Sequence, residues 1–358
     1  MILSIFRGIF GMLLKDNLCV LAAAGSRKTT YIVEQALEAH KSKRILVTTY
    51  TNQNVEQIET SIIKKVGVVP PNISVLSWFR FLLQDGVRPY QRSLTGLPRV
   101  IALNTYVQNG IRYTPKAKVD EYYFDSKGNI YSEYVSEFCV EVNKASNGKI
   151  VKRLESIYDT ILIDEIQDMG GWDLDFLELL LGSTIKLVIV GDPRQSTLRT
   201  NTRSQRNRQY RGPDIARWFV KKQSQGLCQI DERTTCFRCN QAICDFADAL
   251  YPNLPKTTSR TNEITGHDGV FCINKIDVLE YVRKYNPVVL RYNRNSNTMD
   301  LDAKNIGISK GQTFDRVLIF PTHGMKTYLR TKNPALAGDI DKLYVAVTRA
   351  RYSVAFVF

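Results

Sequence analysis

Short apolar runs alternate with amphipathic stretches along the first part of the chain. The runs are NLCVLAA, RILVTTY, ISVLS, TILID and KLVIVG, and apolar residues recur at helical spacing over residues 31–40 and 172–181. Strands that alternate with amphipathic helices predict a mainly parallel sheet covered on both faces. We therefore expect an α/β lobe here, over residues 1–222.

A second series of strands and helices is expected to begin near residue 227. Its strand candidates are LCQID, GVFCIN, PVVLRY, RVLIF and SVAFVF, and residues 241–250 and 343–350 fit helices between them. This pattern predicts a second α/β lobe over residues 223–358. Residues 86–150 are rich in Tyr and Lys and lack clean periodicity, which predicts a small subdomain inserted in the first lobe.

A candidate phosphate-binding loop, AAAGSRKTT, follows the first apolar run. Its backbone N–H groups can close around phosphate oxygens, Lys28 adds a positive charge, and the Thr29 hydroxyl can bind Mg2+. A helix beginning near Thr29 would present its N-terminus to the anion. Arg27 stands where the usual pattern has its second glycine, and Ala22 replaces the first. The predicted nucleotide-binding residues are Ala24, Gly25, Ser26, Arg27, Lys28, Thr29 and Thr30.

Acidic residues follow another strand candidate, TILID. Asp164 at the strand end can hold Mg2+ together with Thr29, and Glu165 can orient and deprotonate the attacking water. Because the carboxyl ends of parallel strands meet at one edge of a sheet, these residues should converge with the phosphate loop. The two motifs together predict a site that binds and splits a nucleoside triphosphate.

Composition and charge narrow the choice of partner. A chain of 358 residues with 44% hydrophobic content suits two globular domains. The net charge of +14 favours a polyanion, because Lys and Arg gain affinity by displacing counterions from phosphates. The apolar opening, residues 1–14, is too short to span a bilayer. It predicts a helix packed on the first domain, and no membrane partner is expected.

The cysteines indicate a reducing compartment. All seven are scattered along a large chain, which favours reduced thiols and a cytoplasmic location over a disulfide scaffold. Cys236 and Cys239 form a C-x-x-C, with Cys228 and Cys244 nearby. Four thiolates bound to zinc are therefore the alternative, although their spacing is irregular.

Seven motifs occur in order and cover nearly the whole chain: LAAAGSRKT, TTYTN, ILIDEIQD, VGDPRQS, the segment around Arg238, SKGQTFDRV and LYVAVTRAR. This set resembles superfamily 1 helicases of the UvrD/Rep/PcrA type. The resemblance implies two tandem RecA-like lobes, ATP and Mg2+ as cofactors, and single-stranded nucleic acid as partner. It also implies that Gln195 senses the γ-phosphate and that Arg238 and Arg349 reach it across the lobe interface. Gly311 would also contact the nucleotide.

The same resemblance assigns contacts to a nucleic-acid strand. Thr51 and Asn52 match a motif that touches the nucleic-acid backbone. Trp78 and Phe79 match the next motif, where aromatic rings would stack on bases. Trp78 fits a core position equally well.

A basic insertion, TLRTNTRSQRNRQ, precedes an aromatic-Arg-Gly piece at residues 210–212 that the family places directly after VGDPRQS. The insertion contains four arginines and no acid, which is typical of a solvated, mobile loop. Its position beside the expected strand track favours nucleic-acid contact instead. The candidates in this region are Arg199, Arg203, Arg206, Arg208, Tyr210 and Arg211.

Besides Arg27, three departures from the family pattern bear on function. The glutamine motif that would select adenine is not recognisable before the loop. Gln312 and Thr313 stand where the family has Leu-Glu, a form that resembles the RecD/Pif1 branch, so both polarities of movement stay open. The large accessory subdomain has no room between Arg238 and Lys310. We therefore expect strand-stimulated ATPase activity and translocation to exceed unaided unwinding.

Three functional hypotheses follow. The first is an ATP-dependent single-stranded DNA translocase or helicase. The second is a nucleic-acid-sensing ATPase subunit that controls a partner nuclease or toxin, since compact helicases resembling this chain occur in antiphage systems. The third is an RNA helicase, including a viral one.

Overall fold

The computed structural model describes residues 16–105, 114–197, 200 and 204–358. The helix expected within residues 1–14 and the two arginines Arg199 and Arg203 lie outside the described residues. The chain divides into two compact units. The first comprises residues 1–21, 29–191 and 199–231, and the second comprises residues 22–28, 192–198 and 232–358.

The first unit is built on a six-stranded sheet in the order β3-β2-β6-β7-β1-β8. The neighbours from β3 to β1 pair in parallel, so the predicted parallel α/β architecture is confirmed. Two further short strands, β4 and β5, pair with each other. The bounds are β1 (Leu18–Ala22), β2 (Ile45–Thr49), β3 (Ile73–Ser77), β4 (Leu103–Asn104), β5 (Ile130–Tyr131), β6 (Thr160–Ile163), β7 (Lys186–Gly191) and β8 (Gln229–Arg233).

Helices cover this sheet and carry its connections. Every residue of β2 is buried, as expected for a central parallel strand with both faces covered. A π-helical turn, Leu82–Val87, joins α3 to α4. The helices are α1 (Lys28–Glu38), α2 (Asn52–Val66), α3 (Trp78–Phe81), α4 (Arg88–Tyr90), α5 (Val119–Tyr123), α6 (Val135–Ala145), α7 (Lys149–Ile157), α8 (Trp172–Gly182) and α9 (Ile215–Ser224).

The described parts of residues 86–150 consist of short helices and the β4–β5 pair. Several short elements replace one long periodic element, which explains the missing periodicity. Only α6 has a long buried face, which includes Phe138, Cys139 and Val142. These residues belong to the same hydrophobic core as the sheet, so the segment packs on the first unit.

The strand candidate LCQID was wrongly expected to open the second lobe. It corresponds to β8, which lies at the edge of the first sheet next to β1. Asn17 fixes this position, because its side-chain amide donates to the carbonyl of Leu227 at 2.9 Å and its backbone carbonyl accepts from the Gln229 N–H at 2.8 Å. Sheet membership is a tertiary property, so the local pattern alone assigned the strand to the wrong sheet.

The second unit contains a five-stranded parallel sheet in the order β11-β15-β14-β12-β13. A separate parallel pair joins β9 to β10. The strands are β9 (Thr235–Cys236), β10 (Thr258–Ser259), β11 (Gly269–Ile273), β12 (Val288–Arg291), β13 (Ala303–Asn305), β14 (Phe314–Phe320) and β15 (Ala350–Val357). The helices are α10 (Gln241–Asp248), α11 (Val278–Tyr285), α12 (His323–Thr331) and α13 (Ile340–Val347).

Buried aliphatic side chains from β14, β15 and α13 form the core of this unit. The central strand β14 is buried along its second half, Val317 to Phe320. Within the described ranges, the helices are too short or too polar to cross a membrane.

Candidate nucleotide and nucleic-acid sites

The phosphate loop connects β1 to α1 through a tight backbone. Gly25 and Arg27 both have positive φ angles, 75° and 62°. A side chain at Gly25 would place its Cβ 2.5 Å from the Cys236 sulfur, so only glycine fits there without displacing a neighbour. The Ala24 N–H donates to the Tyr344 hydroxyl at 3.2 Å. The loop is therefore held by backbone geometry and by the second unit, to which it belongs.

Lys28 folds back onto its own loop. Its Nζ donates to the carbonyls of Ala22 and Ala23 at 3.1 and 3.0 Å and lies 3.9 Å from Asp192 Oδ2. The buried hydroxyl of Ser26 has no hydrogen-bond partner within the described part of the chain. A buried donor without a partner is costly unless a ligand satisfies it. An anion such as a phosphate group fits this loop.

Arg27 replaces a family glycine in the left-handed region of backbone space. Its guanidinium lies over the ring of Phe237, 4.1 Å from the centroid. A non-glycine residue at positive φ is disfavoured, and this cation–π contact offsets part of that cost.

Thr29 and Asp164 come together in the first unit. The Thr29 hydroxyl donates to Asp164 Oδ2 at 3.2 Å, and the N–H of Glu165 donates to Asp164 Oδ1 at 2.9 Å. Glu165 has a φ of 59°, and its carboxylate accepts a hydrogen bond from the Gln167 amide. The hydroxyl and carboxylate are the oxygen ligands that Mg2+ prefers, so this pair is suited to hold the ion.

Gln195 and Arg349 form a buried network in the second unit. Arg349 donates to Gln195 Oε1 at 3.2 Å and to the Val345 carbonyl at 3.1 Å. The Gln195 amide donates to Asp192 Oδ2 at 2.7 Å, and the Tyr344 hydroxyl donates to the same oxygen at 3.2 Å. These bonds fix both ends of the Gln195 amide. Only the family resemblance predicts that Gln195 and Arg349 lie near the γ-phosphate.

Tyr344 is a residue of this network that the sequence motifs did not predict, and it donates to the carboxylate of Asp192, which follows β7. Burial, with the adjacent Asp192, raises the pKa of Tyr344 well above its ordinary value, so the hydroxyl keeps its proton and donates. Tyr344 lies in the motif LYVAVTRAR, five residues before Arg349, and this position is the sequence feature that could have identified it as a site residue.

Arg238 and Gly311 are the other nucleotide-site predictions in the second unit. Arg238 Nη1 donates to the Thr348 carbonyl at 3.0 Å, next to Arg349 in the chain. Gly311 has a φ of 83° in the turn before β14, and Arg349 Nη1 donates to the carbonyl of the following Gln312 at 3.3 Å. Both predictions thus fall near Arg349.

The cysteines do not form a metal centre among the described residues. All seven are free thiols, and within the described ranges no group of three or more His, Cys, Asp or Glu side chains is arranged to hold an ion. The Cys236 sulfur accepts the backbone N–H groups of Cys239 and Arg238 at 3.3 and 3.5 Å, while the Cys239 thiol donates to the Thr348 carbonyl at 3.6 Å. The zinc alternative is therefore not supported.

The residues predicted to contact a nucleic-acid strand differ in burial. Thr51 caps α2 by accepting the Asn54 N–H at 3.1 Å, and Phe79 is half-buried against Tyr50. Trp78 is fully buried, and its indole N–H donates to Asp173 at 2.8 Å. The Trp78 ring therefore offers no face to a base, and the core alternative replaces the stacking one.

An open groove of about 510 Å3 lies beside these residues in the first unit. Its lining combines four apolar side chains with polar and charged ones, which are Asn52, Ser77, Arg80, Arg88, Glu56 and Glu59. Asn52 was predicted from sequence. Arg80 and Arg88 were missed because they lie outside the recognisable motifs.

The basic insertion is anchored rather than only solvated. Arg206 Nε lies 3.0 Å from Asp175 Oδ1 and 3.1 Å from Oδ2, and its guanidinium lies 5.0 Å from the centroid of Trp172. Asp175 raises the pKa of Arg206. Arg211 donates to the Ser204 carbonyl. The acid that the insertion itself lacks comes from α8, which the local sequence could not indicate.

Comparison with known proteins places the chain. A family described as an AAA domain matches residues 7–200, more than half of the chain. No curated protein matches it. The complex of Arterivirus nonstructural protein 10 (helicase) with DNA is 15% identical, with a TM-score of 0.50, and covers 96% of this chain and 61% of that one. A crystal structure of Arterivirus nonstructural protein 10 (helicase) is also 15% identical, with a TM-score of 0.49. That match covers 96% of this chain and 59% of the viral one.

The chain thus spans about three fifths of the length of these viral helicase chains. At this identity the likeness concerns the fold, which is the parallel α/β fold of helicase lobes. The family match includes the phosphate loop, Thr29, Asp164 and Glu165. By that match, the chain belongs to the AAA domain family.

Proposed function

We propose that this protein hydrolyses ATP to move along single-stranded DNA, as a translocase or helicase. The hydrogen bond of 3.2 Å between the Thr29 hydroxyl and the Asp164 carboxylate carries the proposal. It joins the end of the phosphate loop to the acidic strand end, as a Mg2+-dependent nucleotide site requires. The unsatisfied hydroxyl of Ser26 supports phosphate as the ligand.

In the proposed reaction, Thr29 and Asp164 hold Mg2+, which neutralises charge on the phosphates when it is bound. Lys28 contributes a positive charge beside the loop carbonyls. Glu165 accepts the proton of the attacking water; its bond from Gln167 orients the carboxylate.

Gln195 and Arg349 are proposed to act on the terminal phosphate. Because Arg349 and Asp192 hold opposite ends of the Gln195 amide, that amide has one orientation. The buried Arg349 guanidinium would stabilise negative charge as the terminal phosphate bond breaks. The role in each case is the one that the superfamily 1 resemblance implies.

The nucleic-acid side of the proposal is supported by charge and by the groove. The net charge of +14 favours a polyanion. The groove beside Asn52 contains Arg80 and Arg88 together with Glu56 and Glu59, and half-buried Phe79 directly precedes Arg80 in the chain. Single-stranded DNA is our proposed track, and RNA is the alternative that the same groove chemistry allows.

The first test is ATP hydrolysis by the wild type with and without single-stranded DNA or RNA, alongside Glu165→Gln. We expect strong stimulation by DNA and a loss of about 1,000-fold or more in the variant. Glu155→Gln is the matched control, because Glu155 lies on α7, accepts hydrogen bonds from the Thr184 N–H and hydroxyl, and is not one of the predicted nucleotide-site residues. Equal hydrolysis by Glu165→Gln and the wild type would refute the proposal.

Stimulation by RNA alone would assign the chain to RNA. Directional movement separates the motor from the alternative of a sensing ATPase subunit that controls a partner nuclease or toxin. A motor displaces a protein roadblock bound to the strand; a sensor hydrolyses ATP without displacing it.

A further inference from the structure

Asp173 is a fully buried carboxylate on the first turn of α8. Its Oδ1 accepts the indole N–H of Trp78 at 2.8 Å and the hydroxyl of Ser136. Its Oδ2 accepts the hydroxyl of Thr200 and the N–H of Gly170. Three residues that are distant in sequence, Trp78, Ser136 and Thr200, thus meet at one side chain.

Two of the segments that carry them belong to the candidate sites of the first unit. Trp78 begins α3, directly between Ser77 of the groove and Phe79. On the other side, the Thr200 N–H donates to the Asp168 carbonyl at 3.1 Å, and the Asp168 N–H donates to the Glu165 carbonyl at 3.1 Å. A continuous series of hydrogen bonds therefore runs from Asp173 through Thr200 to the backbone of Glu165.

Burial makes these bonds strong and mutually dependent. Desolvation raises the pKa of Asp173, while its hydrogen bonds oppose that shift. Bonds to a buried carboxylate are stronger than bonds between neutral groups, and losing one donor leaves the remaining network less satisfied. A shift of Trp78 is therefore opposed by the same carboxylate that holds Thr200.

We propose that Asp173 is a positioning residue that couples strand contact at residues 77–79 to the orientation of Glu165. This inference rests on the proposed function, because it concerns how the strand accelerates hydrolysis. Asp173 is fully buried, so it would act through Trp78 and Thr200 rather than by direct contact with nucleotide or strand. A strand that shifts α3 changes the Trp78 bond to Oδ1, and the opposite oxygen passes the shift to Thr200 and the Glu165 turn.

Asp173 can be tested without being changed, by removing one of its hydrogen-bond donors at a time. Trp78→Phe removes the bond on the strand side and keeps an aromatic ring in the core. Thr200→Val removes the bond on the Glu165 side and keeps the side-chain shape. Ser146→Ala is the matched control, because its buried hydroxyl at the end of α6 donates to the carbonyl of Asn143.

The measured quantities are kcat with and without single-stranded DNA and the ATP concentration at half-maximal rate. We expect each test variant to lower the stimulation by DNA about tenfold, a size typical of coupling networks, with half-saturating ATP within about twofold. The double variant should lose no more DNA stimulation than the more impaired single variant, because both substitutions interrupt the same series of hydrogen bonds. Normal stimulation in both single variants, or multiplied losses in the double variant, would overturn the inference.

Backbone hydrogen exchange of the protein without ligands tests the coupling independently of ATP hydrolysis. Trp78→Phe should speed exchange in residues 74–82 and also in residues 164–170, whereas Ser146→Ala should affect neither. Faster exchange around residue 78 alone would contradict coupling through Asp173. A wild type without DNA stimulation would contradict the proposed function, and the exchange result would still decide whether Asp173 joins the two segments.

Discussion

Arg349 and Arg206 are both predicted functional arginines, and they occupy opposite environments. Arg349 is buried and donates to the Gln195 side chain and to the carbonyls of Val345 and Gln312. Arg206 is half-exposed and is held by Asp175 and the Trp172 ring. The buried guanidinium orients one particular amide, whereas the exposed one presents charge to the surroundings. The same residue type therefore suits chemistry in one place and electrostatic attraction in the other.

Among the variants that test this comparison, Arg349→Lys should produce the largest loss of ATP hydrolysis. Lysine keeps the charge but loses the planar fork that reaches both Gln195 and the backbone carbonyls. We expect kcat for ATP to fall about 1,000-fold, in the range typical of transition-state arginines, with unchanged affinity for single-stranded DNA. Arg351→Lys, an exposed neighbour paired with Asp315 at 3.2 Å, is the control and should stay within about twofold. Equal losses in both variants would mean that Arg349 has no special role.

Tyr344→Phe tests the buried network through stability. The change leaves the Ala24 N–H without its acceptor and Asp192 with one donor fewer. We expect the free energy of unfolding to fall by about 1–3 kcal/mol, measured in urea. Tyr292→Phe is the matched control, because Tyr292 also donates to a carboxylate, Asp339 at 3.1 Å, but is only partly buried. It should cost less than about 1 kcal/mol; a larger loss there than at Tyr344 would count against the network.

Arg206→Ala tests the exposed arginine. We expect binding of single-stranded DNA to weaken about threefold, with kcat for ATP unchanged. The slope of the logarithm of the binding constant against the logarithm of salt concentration should decrease in magnitude by nearly one. Unfolding should change by less than about 1 kcal/mol, because exposed ion pairs contribute little. Arg217→Ala removes another exposed arginine, which lies on α9 and pairs with Asp214. An identical change in salt dependence there would show that only net charge matters.

Arg27 gives the smallest expected effect. Both Arg27→Ala and Arg27→Gly lose the contact with Phe237, but only glycine accepts a φ of 62° without cost. We expect Arg27→Gly to be more stable than Arg27→Ala by about 1 kcal/mol in thermal unfolding. The opposite order would mean that the loop relaxes to another backbone conformation.

The sequence predicts those features that depend on local pattern. Alternating strands and helices predict the parallel sheets, and the rule for parallel strand ends brings Thr29 to Asp164. The position of β8 depends on its contacts with Asn17, which no local pattern contains. Trp78 matched a motif that left both stacking and burial open.

Residues whose role comes from contacts are the ones that sequence analysis misses. Asp173 is one acidic residue in a largely buried helix, and only folding places Trp78, Ser136 and Thr200 around it. Asp175 likewise supplies the acid that the basic insertion lacks. Such long-range pairings have no signature in the spacing of residues along one chain.

The most direct test is a titration of ATP hydrolysis with single-stranded DNA for the wild type, Arg349→Lys and Arg206→Ala. It gives kcat and the DNA concentration at half-maximal stimulation in one experiment. We predict that Arg349→Lys loses kcat and keeps the half-maximal concentration, while Arg206→Ala keeps kcat and requires more DNA. A wild type that DNA does not stimulate, or two variants with the same defect, would contradict the assignment of hydrolysis to the buried arginine and strand attraction to the exposed one.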